Sequence, residues 1–297
     1  MIYWITVNYY STALIERLIN SIPVHSEINY RVIIVNNSPD DSSIHSLKNE
    51  SIVILDSPEN IGFGRGCNLG LDWVYQHNPR GIVWLINPDA YLLEDSLTRV
   101  IEFFKTYPEI SILGTLVDET TGKLGFGGGE FNEKTGRIIA LDFIPKNPDS
   151  SLPYLTTKWV TGCSLLINLQ RFSECPQFDP DYFLYYEDFD FCLRYGKRGH
   201  SVVMSTEIRV IHQSSSITNQ NQPLKIQQSI YSYLLSLEKH SNIWVLGYRL
   251  LRISLVSGLS LLIYPQVSRH KLRGVWLYCQ KRLHPGKIIS NKSRKTN

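Results

Sequence analysis

The amino-acid sequence predicts an α/β protein built on a mostly parallel, doubly wound sheet with helices on both faces, followed by a helical C-terminal extension. Short apolar runs typical of strands alternate with segments whose apolar residues recur at helical spacing, which is the pattern of parallel β-α units. Several of these runs end abruptly in polar residues, as Arg31–Val35 does at Asn36. With 297 residues, 43% of them hydrophobic, the chain is long enough to bury a full core.

The first β-α unit shows how the elements are assigned. Met1–Val7 is apolar and lacks the basic residues and the small-residue cleavage site of a signal peptide, so we predict a buried first strand. Leu14, Leu18 and Ile22 then recur at helical spacing ahead of Pro23, which predicts a helix over 12–22.

The same reasoning assigns the remaining elements in chain order. Further strands are predicted at 31–35, 51–56, 81–87, 110–117, 159–168, 200–204 and 208–212. Further helices are predicted at 67–77, at 95–107, from the acidic stretch to about 198, at 226–237 and at 243–264. Because α/β sheets bind ligands at the carboxyl ends of their strands, the polar segments that follow strands are the candidate site.

The cysteine pattern indicates the cellular compartment, and the charge pattern indicates a boundary between two regions of the chain. The five cysteines are scattered and include no C-x-x-C pair, so neither a zinc site nor a disulfide framework is indicated and a reducing cytosol fits best. No Asp or Glu follows Glu238, whereas residues 239–297 carry twelve Lys or Arg. We therefore predict an α/β domain at 1–222 and a basic helical region at 223–297.

One acidic cluster lies among aromatic residues. Glu187, Asp188 and Asp190 place three carboxylates within four residues. Carboxylates held together in a partly apolar setting repel one another and raise at least one pKa, as in a general base or a cation site. The alternative is a helix start, where acids complement the helix dipole while Phe189 and Leu193 face the core. Both interpretations can hold at once.

A glycine-rich segment precedes the helix predicted at 67–77. Asn60–Gly70 contains four glycines together with Arg65 and Asn68. Backbone amides near Gly62 and the Arg65 guanidinium suit a diphosphate, since glycine allows close approach and a helix start attracts anions. The alternative is a turn chosen for close helix–strand packing. The dinucleotide-binding fingerprint after the first strand and the P-loop ending are both absent from the sequence.

Two candidate metal ligands follow apolar runs. Asp89 ends the Asn87-Pro88-Asp89 segment directly after the run 83–86, and one carboxylate at a sheet edge can hold Mg²⁺ or Mn²⁺ bound to phosphates. The alternative is a turn or a helix cap. His212 closes the run 208–211 and is either a structural histidine or a ligand.

Taken together, these segments resemble the family-2 glycosyltransferases, in particular their bacterial rhamnosyltransferase-like branch with the GT-A fold. The resemblance covers about residues 3–216. It depends on an ordered set of motifs, namely Val35-Asn36-Asn37-Ser38 with Asp40, Asn60 through Gly64 with Gly66 and Asn68, Asn87-Pro88-Asp89, Gly162-Cys163, Phe178-Asp179, Phe183 through Arg194, Gly199, and His212 with Ser216. Each motif is weak alone, and their common order makes the set specific.

The resemblance implies roles for the matching positions. Asp188 would be the catalytic base, with Glu187 orienting it or the acceptor, and Asp89 would bind the metal, with His212 completing the metal site. The implied donor-binding residues are Asn36, Asn37, Asp40, Gly62, Arg65, Asn68 and Asn87.

Two positions depart from the family pattern, and three aromatic residues are candidates for acceptor binding. Asn36 stands where the family usually has Asp, and Arg65 stands where a small residue is common. Trp159, Tyr185 and Tyr186 are suited to stacking on sugar rings of an acceptor or, alternatively, to lining the wall of the core.

The resemblance implies an inverting, metal-dependent glycosyltransferase. It would move a sugar, with rhamnose the first candidate, from a dTDP or UDP donor to a hydroxyl of a saccharide or lipid-linked saccharide in envelope or exopolysaccharide synthesis, with Mg²⁺ or Mn²⁺ as cofactor. One alternative is a nucleotidyltransferase that makes the sugar nucleotide, although the first loop lacks its glycine-rich signature with Arg and Lys. Another is a non-catalytic sugar-nucleotide-binding membrane adaptor.

The C-terminal region lies outside the resemblance. The apolar segment 243–264 is interrupted by Arg249 and Arg252, and its uncharged part, 253–264, is shorter than the ~20 residues that span a bilayer. An interfacial helix flanked by basic residues on the inner face of the cytoplasmic membrane fits this pattern, and a dimerisation or packing helix is the alternative. No nucleic-acid recognition module accompanies the basic residues.

Overall fold

The computed structural model describes residues 1–23, 29–120, 126–141, 152–213 and 222–283. Ser216 of the family-like motifs lies outside these residues. The chain divides into two compact units, one formed by 1–133 with 137–220 and the other by 134–136 with 221–297. Each unit is described by itself.

A large mixed sheet forms the centre of the first unit. Its strands are β1 (Ile2–Asn8), β2 (Tyr30–Asn36), β3 (Ile52–Asp56), β4 (Ile82–Ile86), β5 (Ala90–Leu92), β6 (Ile112–Glu119), β9 (Tyr154–Thr156), β11 (Ser164–Asn168) and β12 (Val202–His212). A second, small sheet contains β7 (Gly128–Asn132), β8 (Arg137–Ala140) and β10 (Trp159–Val160).

The strand order of the large sheet is β3-β2-β1-β4-β11-β6-β12-β5, with β9 paired to β12. The four strands β3, β2, β1 and β4 are parallel neighbours, and β6 is parallel to β12. β11, β5 and β9 are the antiparallel members. The predicted α/β fold is therefore confirmed, and antiparallel pairing in the large sheet involves only β5, β9 and β11.

Helices cover both faces of the large sheet, as predicted. The first unit contains α1 (Thr12–Asn20), α2 (Phe63–His77), α3 (Ser96–Thr106) and α4 (Glu187–Lys197). Side chains of a strand alternate between faces. Trp4 of β1 belongs to the core cluster with Leu18 of α1 and Val100 of α3, whereas the next residue, Ile5, lies beneath Gly70 of α2.

The glycine-rich segment was predicted to be a turn ahead of the helix at 67–77. This prediction is wrong for residues 63–66, because α2 already begins at Phe63. Close packing on β1 explains the glycines. A Cβ on Gly66 would lie 3.0 Å from Val7 Cγ1, and one on Gly70 would lie 2.6 Å from Ile5 Cγ2. These glycines let α2 approach the strand, which is the packing alternative considered for the sequence.

Two further boundaries differ from the sequence predictions. The predicted strand 159–168 is broken at Thr161–Cys163, and its halves β10 and β11 belong to different sheets. The predicted strands 200–204 and 208–212 form one strand, β12, with a register irregularity between Met204 and Arg209. Ser205 Oγ accepts bonds from the amides of residues 207 and 208 and so satisfies the backbone at this bulge.

The second unit consists of α5 (Gln222–His240), α6 (Ile243–Leu259) and α7 (Pro265–Leu283). α5 and α7 pack closely, because a Cβ on Gly274 would lie 2.7 Å from the carbonyl oxygen of Gln227. Asn242 caps α6 by accepting a bond from the Val245 amide at 2.9 Å. The helix α7 was not predicted from the sequence.

Candidate active site

Polar side chains end three parallel strands and bond to one another across the sheet. Asn8 closes β1, Asn36 closes β2 and Asp56 closes β3, and they are register partners. The Asn8 amide donates to Asn36 Oδ1 at 3.0 Å, and the Asn36 amide donates to Asp56 at 2.9 Å. Asn36 is 2% exposed. Both polar atoms of the Asn36 side chain thus form hydrogen bonds that join the ends of the three strands.

The next residue, Asn37, fastens the segment that leads into α2. Its side-chain nitrogen donates to Asn60 Oδ1 at 3.0 Å, and its oxygen accepts from the Ile61 amide at 2.9 Å. Asn37 is buried. Two candidate donor-binding segments that are well separated in sequence are therefore held together by one side chain.

Asp40 and two tyrosines form the exposed part of this edge. The Tyr10 hydroxyl donates to Asp40, and this bond raises the pKa of Tyr10 to about 12. Tyr9 and Tyr10 are 42% and 53% exposed. The two rings lie 5.0 Å apart, edge to face. Planar aromatic surface is thus available next to the candidate nucleotide-binding residues.

The start of α2 is joined to the loop that precedes the acidic cluster. Gly62 has a φ of 87°, and a Cβ at this position would lie 2.3 Å from the carbonyl oxygen of Phe183. The next amide, that of Phe63, donates to this same oxygen at 3.1 Å. Gly62 is therefore required both by its left-handed backbone and by the close approach of the loop.

Arg65 and Asn68, which were predicted to bind the donor, contact the same loop. Arg65 Nε donates to the Pro180 carbonyl at 2.9 Å. The Asn68 amide donates to the Phe178 carbonyl and accepts from the Phe178 amide, at 2.9 and 2.7 Å. These bonds fasten the loop 178–183 to α2.

Asp188, the candidate base, is held by backbone amides. Its Oδ2 accepts from the Gly162 amide and its Oδ1 accepts from the Phe189 amide, both at 2.7 Å. A Cβ on Gly162 would lie 3.1 Å from the Asp188 Cβ. Burial raises the pKa of Asp188, whereas the amide donors lower it. Amides that favour the ionised form keep a buried carboxylate in one orientation.

Glu187, the neighbouring acid, has a different environment. It is 5% exposed, and Oε2 has no hydrogen-bond partner among the residues described. Burial, followed by the charge of Asp188, raises the pKa of Glu187 to about 8. The pKa values of both acids are raised, which favours a shared proton in the pair, and the two amide donors to Asp188 favour Glu187 as its carrier.

The third acid of the cluster has a structural role. Asp190 is 0% exposed and forms an ion pair with Arg194 at 2.6 Å. Arg194 also donates to the Gln177 carbonyl at 2.8 Å.

α4 begins directly after Tyr185 and Tyr186, whose φ values of 69° and 64° are both left-handed. Such backbone is costly for non-glycine residues and is found at functional sites.

Asp89 and His212, the two candidate metal ligands, lie together. His212 Nε2 is 3.0 Å from Asp89 Oδ1. Asp89 is 7% exposed, and its carbonyl accepts from the Gln213 amide at 2.9 Å. A carboxylate oxygen and an imidazole nitrogen fit a divalent cation. The described residues contain no group of three or more His, Cys, Asp or Glu side chains that could hold a metal, so phosphate oxygens would have to supply the remaining ligands.

The turn Thr161–Cys163 connects the two carboxylate sites. Burial raises the pKa of Cys163, and the charges of Asp89 and Asp188 both add to this rise, so both carboxylates lie near this thiol. The Gly162 amide bonds to Asp188, while the Cys163 carbonyl accepts from the Asn87 amide at 2.9 Å. The break between β10 and β11 thus places the candidate base beside the candidate metal pair.

The candidate acceptor aromatics differ in exposure. Trp159 is 8% exposed, and its indole nitrogen donates to the Glu130 carbonyl at 3.4 Å. Its ring packs 6.2 Å from that of Phe189. Tyr185 and Tyr186 are half-buried. The position of Trp159 matches the alternative of a wall residue.

Two contacts of the candidate site are not predicted from the sequence. Gly162 belongs to a family-like motif, but no local signal indicates that its amide bonds to residue 188. Asn8 is absent from the predicted site, although a polar residue that ends a buried apolar strand is a usable signal.

Comparison with known proteins agrees with this geometry. Residues 3–158 match the family described as Glycosyl transferase family 2. The chain is 23% identical over 299 residues to an N-acetylglucosaminyl-diphospho-decaprenol L-rhamnosyltransferase of Mycobacterium tuberculosis, and the match covers 91% of this chain and 95% of that protein. It is 25% identical over 225 residues to the rhamnosyltransferase WbbL of Escherichia coli, and this match covers 71% and 83% of the two chains.

Solved structures share the fold at low sequence identity. GalNAc-T7 with UDP, GalNAc and Mn²⁺ has a TM-score of 0.60 and 13% identity, covering 80% of this chain and 47% of that one. Residues 1–349 of TarS from S. aureus, in complex with UDP-GlcNAc, have a TM-score of 0.57 and 13% identity, covering 94% and 80%. The expected GT-A type fold is confirmed.

Proposed function

Because the chain belongs to glycosyl transferase family 2, we propose that it transfers rhamnose, with inversion, from a deoxythymidine or uridine diphosphate donor to a hydroxyl of a lipid-linked saccharide in the cytoplasm. Glycosyl transfer follows from family membership. The choice of sugar and acceptor is supported by the rhamnosyltransferases to which the chain is similar along most of its length. The two other hypotheses, a nucleotidyltransferase and a non-catalytic adaptor, lose their support.

The environment of Asp188 is the observation that carries the proposed mechanism. A sugar hydroxyl is a poor nucleophile at neutral pH, so a base must take its proton as the oxygen attacks the anomeric carbon. Asp188 is oriented by the Gly162 and Phe189 amides, and a proton held by Glu187, whose pKa is raised to about 8, would leave Asp188 ionised to act as the base. One displacement assisted by one base inverts the anomeric centre.

The residues around Asp89 fit the divalent cation that the family implies. Asp89 Oδ1 and His212 Nε2 would hold Mg²⁺ or Mn²⁺ together with oxygens of the donor diphosphate. When bound, the cation would neutralise the charge that develops on the departing nucleoside diphosphate.

The donor itself would lie along the edge formed by β1, β2 and α2. Asn37 and Asp40 follow β2, where a nucleoside would meet Tyr9 and Tyr10. The diphosphate would face the first turn of α2, which begins at Phe63, since the helix dipole favours anions at this end. Asn87, placed between β4 and Asp89, would then border the sugar.

Nucleotide release is the direct test of the proposed function. Purified protein is incubated with dTDP-, UDP- and GDP-linked sugars together with a polyprenyl-diphosphate-linked acceptor, in Mn²⁺, in Mg²⁺ and in chelator. We expect acceptor-dependent release from dTDP-rhamnose or its UDP analogue that stops in chelator, and a β-linked product from an α-linked donor or the reverse. Release that is unaffected by chelator would exclude the cation, and a product with retained configuration would exclude the single displacement.

A further inference from the structure

One face of α6 leaves a continuous row of apolar side chains uncovered by the unit to which it belongs. The buried residues of this helix, Val245, Leu246 and Ser257, face the opposite side. The uncovered residues follow one another at intervals of three or four, which places them on one helical face. This row, called the α6 stripe, comprises Trp244 (83% exposed), Tyr248 (61%), Leu251 (57%), Leu255 (57%), Leu259 (78%) and, in the turn after the helix, Leu262 (95%).

Water is a poor environment for this helix. Large contiguous apolar patches on a protein surface mark interaction sites. Among the described residues, Ile243–Leu262 is long and apolar enough to cross a membrane, with a mean hydropathy of 1.4 and only 17% burial. The α6 stripe therefore requires an apolar partner.

The charges around the α6 stripe point to an anionic partner. Arg252 lies on α6 beside the stripe, and the described part of the chain after Glu238 carries eight Lys or Arg without a single acid. Glu238 itself is engaged, because it accepts from Tyr278 and pairs with Arg282. Basic residues near an anionic bilayer are attracted to its surface.

The packing of α7 on α6 distinguishes a helix that lies in the interface from one that spans the bilayer. Both helices belong to one compact unit and contact each other. α7 carries five basic side chains along its length: Arg269, Lys271, Arg273, Lys281 and Arg282. A spanning α6 would draw these charges into the hydrocarbon, where charged side chains are strongly disfavoured. An α6 that inserts only one face avoids this cost.

We propose that the protein docks on an anionic lipid surface through the α6 stripe, with α6 lying in the plane of the interface. Leu251, Leu255 and Leu259 would enter the boundary between headgroups and acyl chains, and the rings of Trp244 and Tyr248 would lie at headgroup level, where aromatic side chains are favoured. The surface would hold the enzyme where a lipid-linked acceptor is presented. Its test is independent of glycosyl transfer, because lipid binding is measured without donor or acceptor.

Vesicle binding of the full chain tests the proposal. The double variant Leu255→Glu with Leu259→Glu changes two exposed side chains of the stripe. The control, Gln222→Glu with Gln266→Glu, adds the same two charges at exposed positions of α5 and α7 in the same unit. We expect the wild type to cosediment with phosphatidylcholine vesicles that contain phosphatidylglycerol and to bind pure phosphatidylcholine at least tenfold more weakly.

The variants and two further measurements decide between lipid and other occupants. We expect the stripe variant to lose at least tenfold in vesicle affinity and the control to lose less than threefold, with wild-type protein released from vesicles by alkaline carbonate. Unchanged binding of the stripe variant would overturn the proposal. Resistance to carbonate would overturn it in favour of a spanning helix, and a lipid-independent dimer that only the stripe variant dissociates would overturn it in favour of a subunit interface.

Discussion

The acidic start of α4 and the Asp89–His212 pair hold a carboxylate beside the same turn in two different ways. Asp188 is held by two backbone amides, whose positions are set by β11 and α4. Asp89 is held by an imidazole at 3.0 Å, a side chain that can itself bind a cation. In the proposed mechanism the first arrangement would present a carboxylate that accepts a proton, whereas the second would present a pair of ligands for a metal ion.

The difference shows that the two sites respond to different perturbations. Backbone amides do not titrate, so the two donors that orient Asp188 remain donors over the whole pH range in which the protein is folded. The Asp89–His212 contact is made by two side chains, so a cation can replace the proton between them. We therefore expect substitutions at Asp188 to slow the chemical step, and substitutions at Asp89 or His212 to weaken the binding of the cation.

Asp188→Asn gives the largest expected effect. Asparagine has a similar shape but cannot take the acceptor proton, so kcat should fall by about 10²–10⁴-fold, while the donor Kd measured by calorimetry stays within threefold. The matched control is Asp95→Asn, which removes an exposed carboxylate paired with Arg99 and should leave kcat unchanged. Retention of wild-type turnover by the Asp188→Asn protein would remove this residue from the mechanism.

His212→Ala addresses the other side of the comparison. Loss of one of the two protein ligands should raise the Mn²⁺ concentration needed for half-maximal activity by roughly 10–100-fold and change kcat at saturating Mn²⁺ much less. His77→Ala, which removes an exposed imidazole stacked on Trp73, is the control. If both variants required the same Mn²⁺ concentration as wild type, His212 would be structural.

Glu187→Gln tests the protonation of the acidic cluster through the pH dependence of protein stability. The pKa of Glu187 is raised to about 8 in the folded protein, above its value in the unfolded chain, so the folded state holds a proton that the unfolded state releases. Wild-type stability should therefore fall as pH rises from about 4.5 to 8, by up to about 1.4 kcal/mol per pH unit from this group.

Glutamine does not titrate, so the Glu187→Gln protein should lose this slope and gain stability relative to wild type as pH approaches 8. Denaturant unfolding at several pH values measures the difference, with Asp72→Asn as a control for removal of an exposed negative charge. Parallel pH profiles for Glu187→Gln and wild type would show that residue 187 is ionised in the folded protein at neutral pH.

Local sequence patterns predicted the elements that depend on local forces. The apolar run of β1 and the helical spacing of Leu14 and Leu18 in α1 lie within a few residues, and both elements appear as expected. The acids at residues 187–190 were expected either at a helix start or at a base. The helix start is confirmed because α4 begins at residue 187, and the base stays a prediction.

Contacts between distant segments escaped prediction. The Gly162 amide reaches Asp188 because the apolar run 159–168 divides into β10 and β11, which belong to different sheets. Hydrophobic periodicity contains no information on which sheet a strand joins. The helix α2 begins at Phe63 because two of its glycines pack on Ile5 and Val7, a tertiary contact that overrides the low helix propensity of glycine.

The contact of Gly62 and Phe63 with the Phe183 carbonyl has a consequence for engineering donor choice. The helix start that would face the diphosphate and the loop that leads to Asp188 share this bond, and Arg65 and Asn68 add further bonds to the same loop. A donor-binding segment transplanted from a relative would lose these partners unless the loop 178–183 were transplanted with it. The two segments are therefore expected to diverge as one module, although more than one hundred residues of sequence separate them.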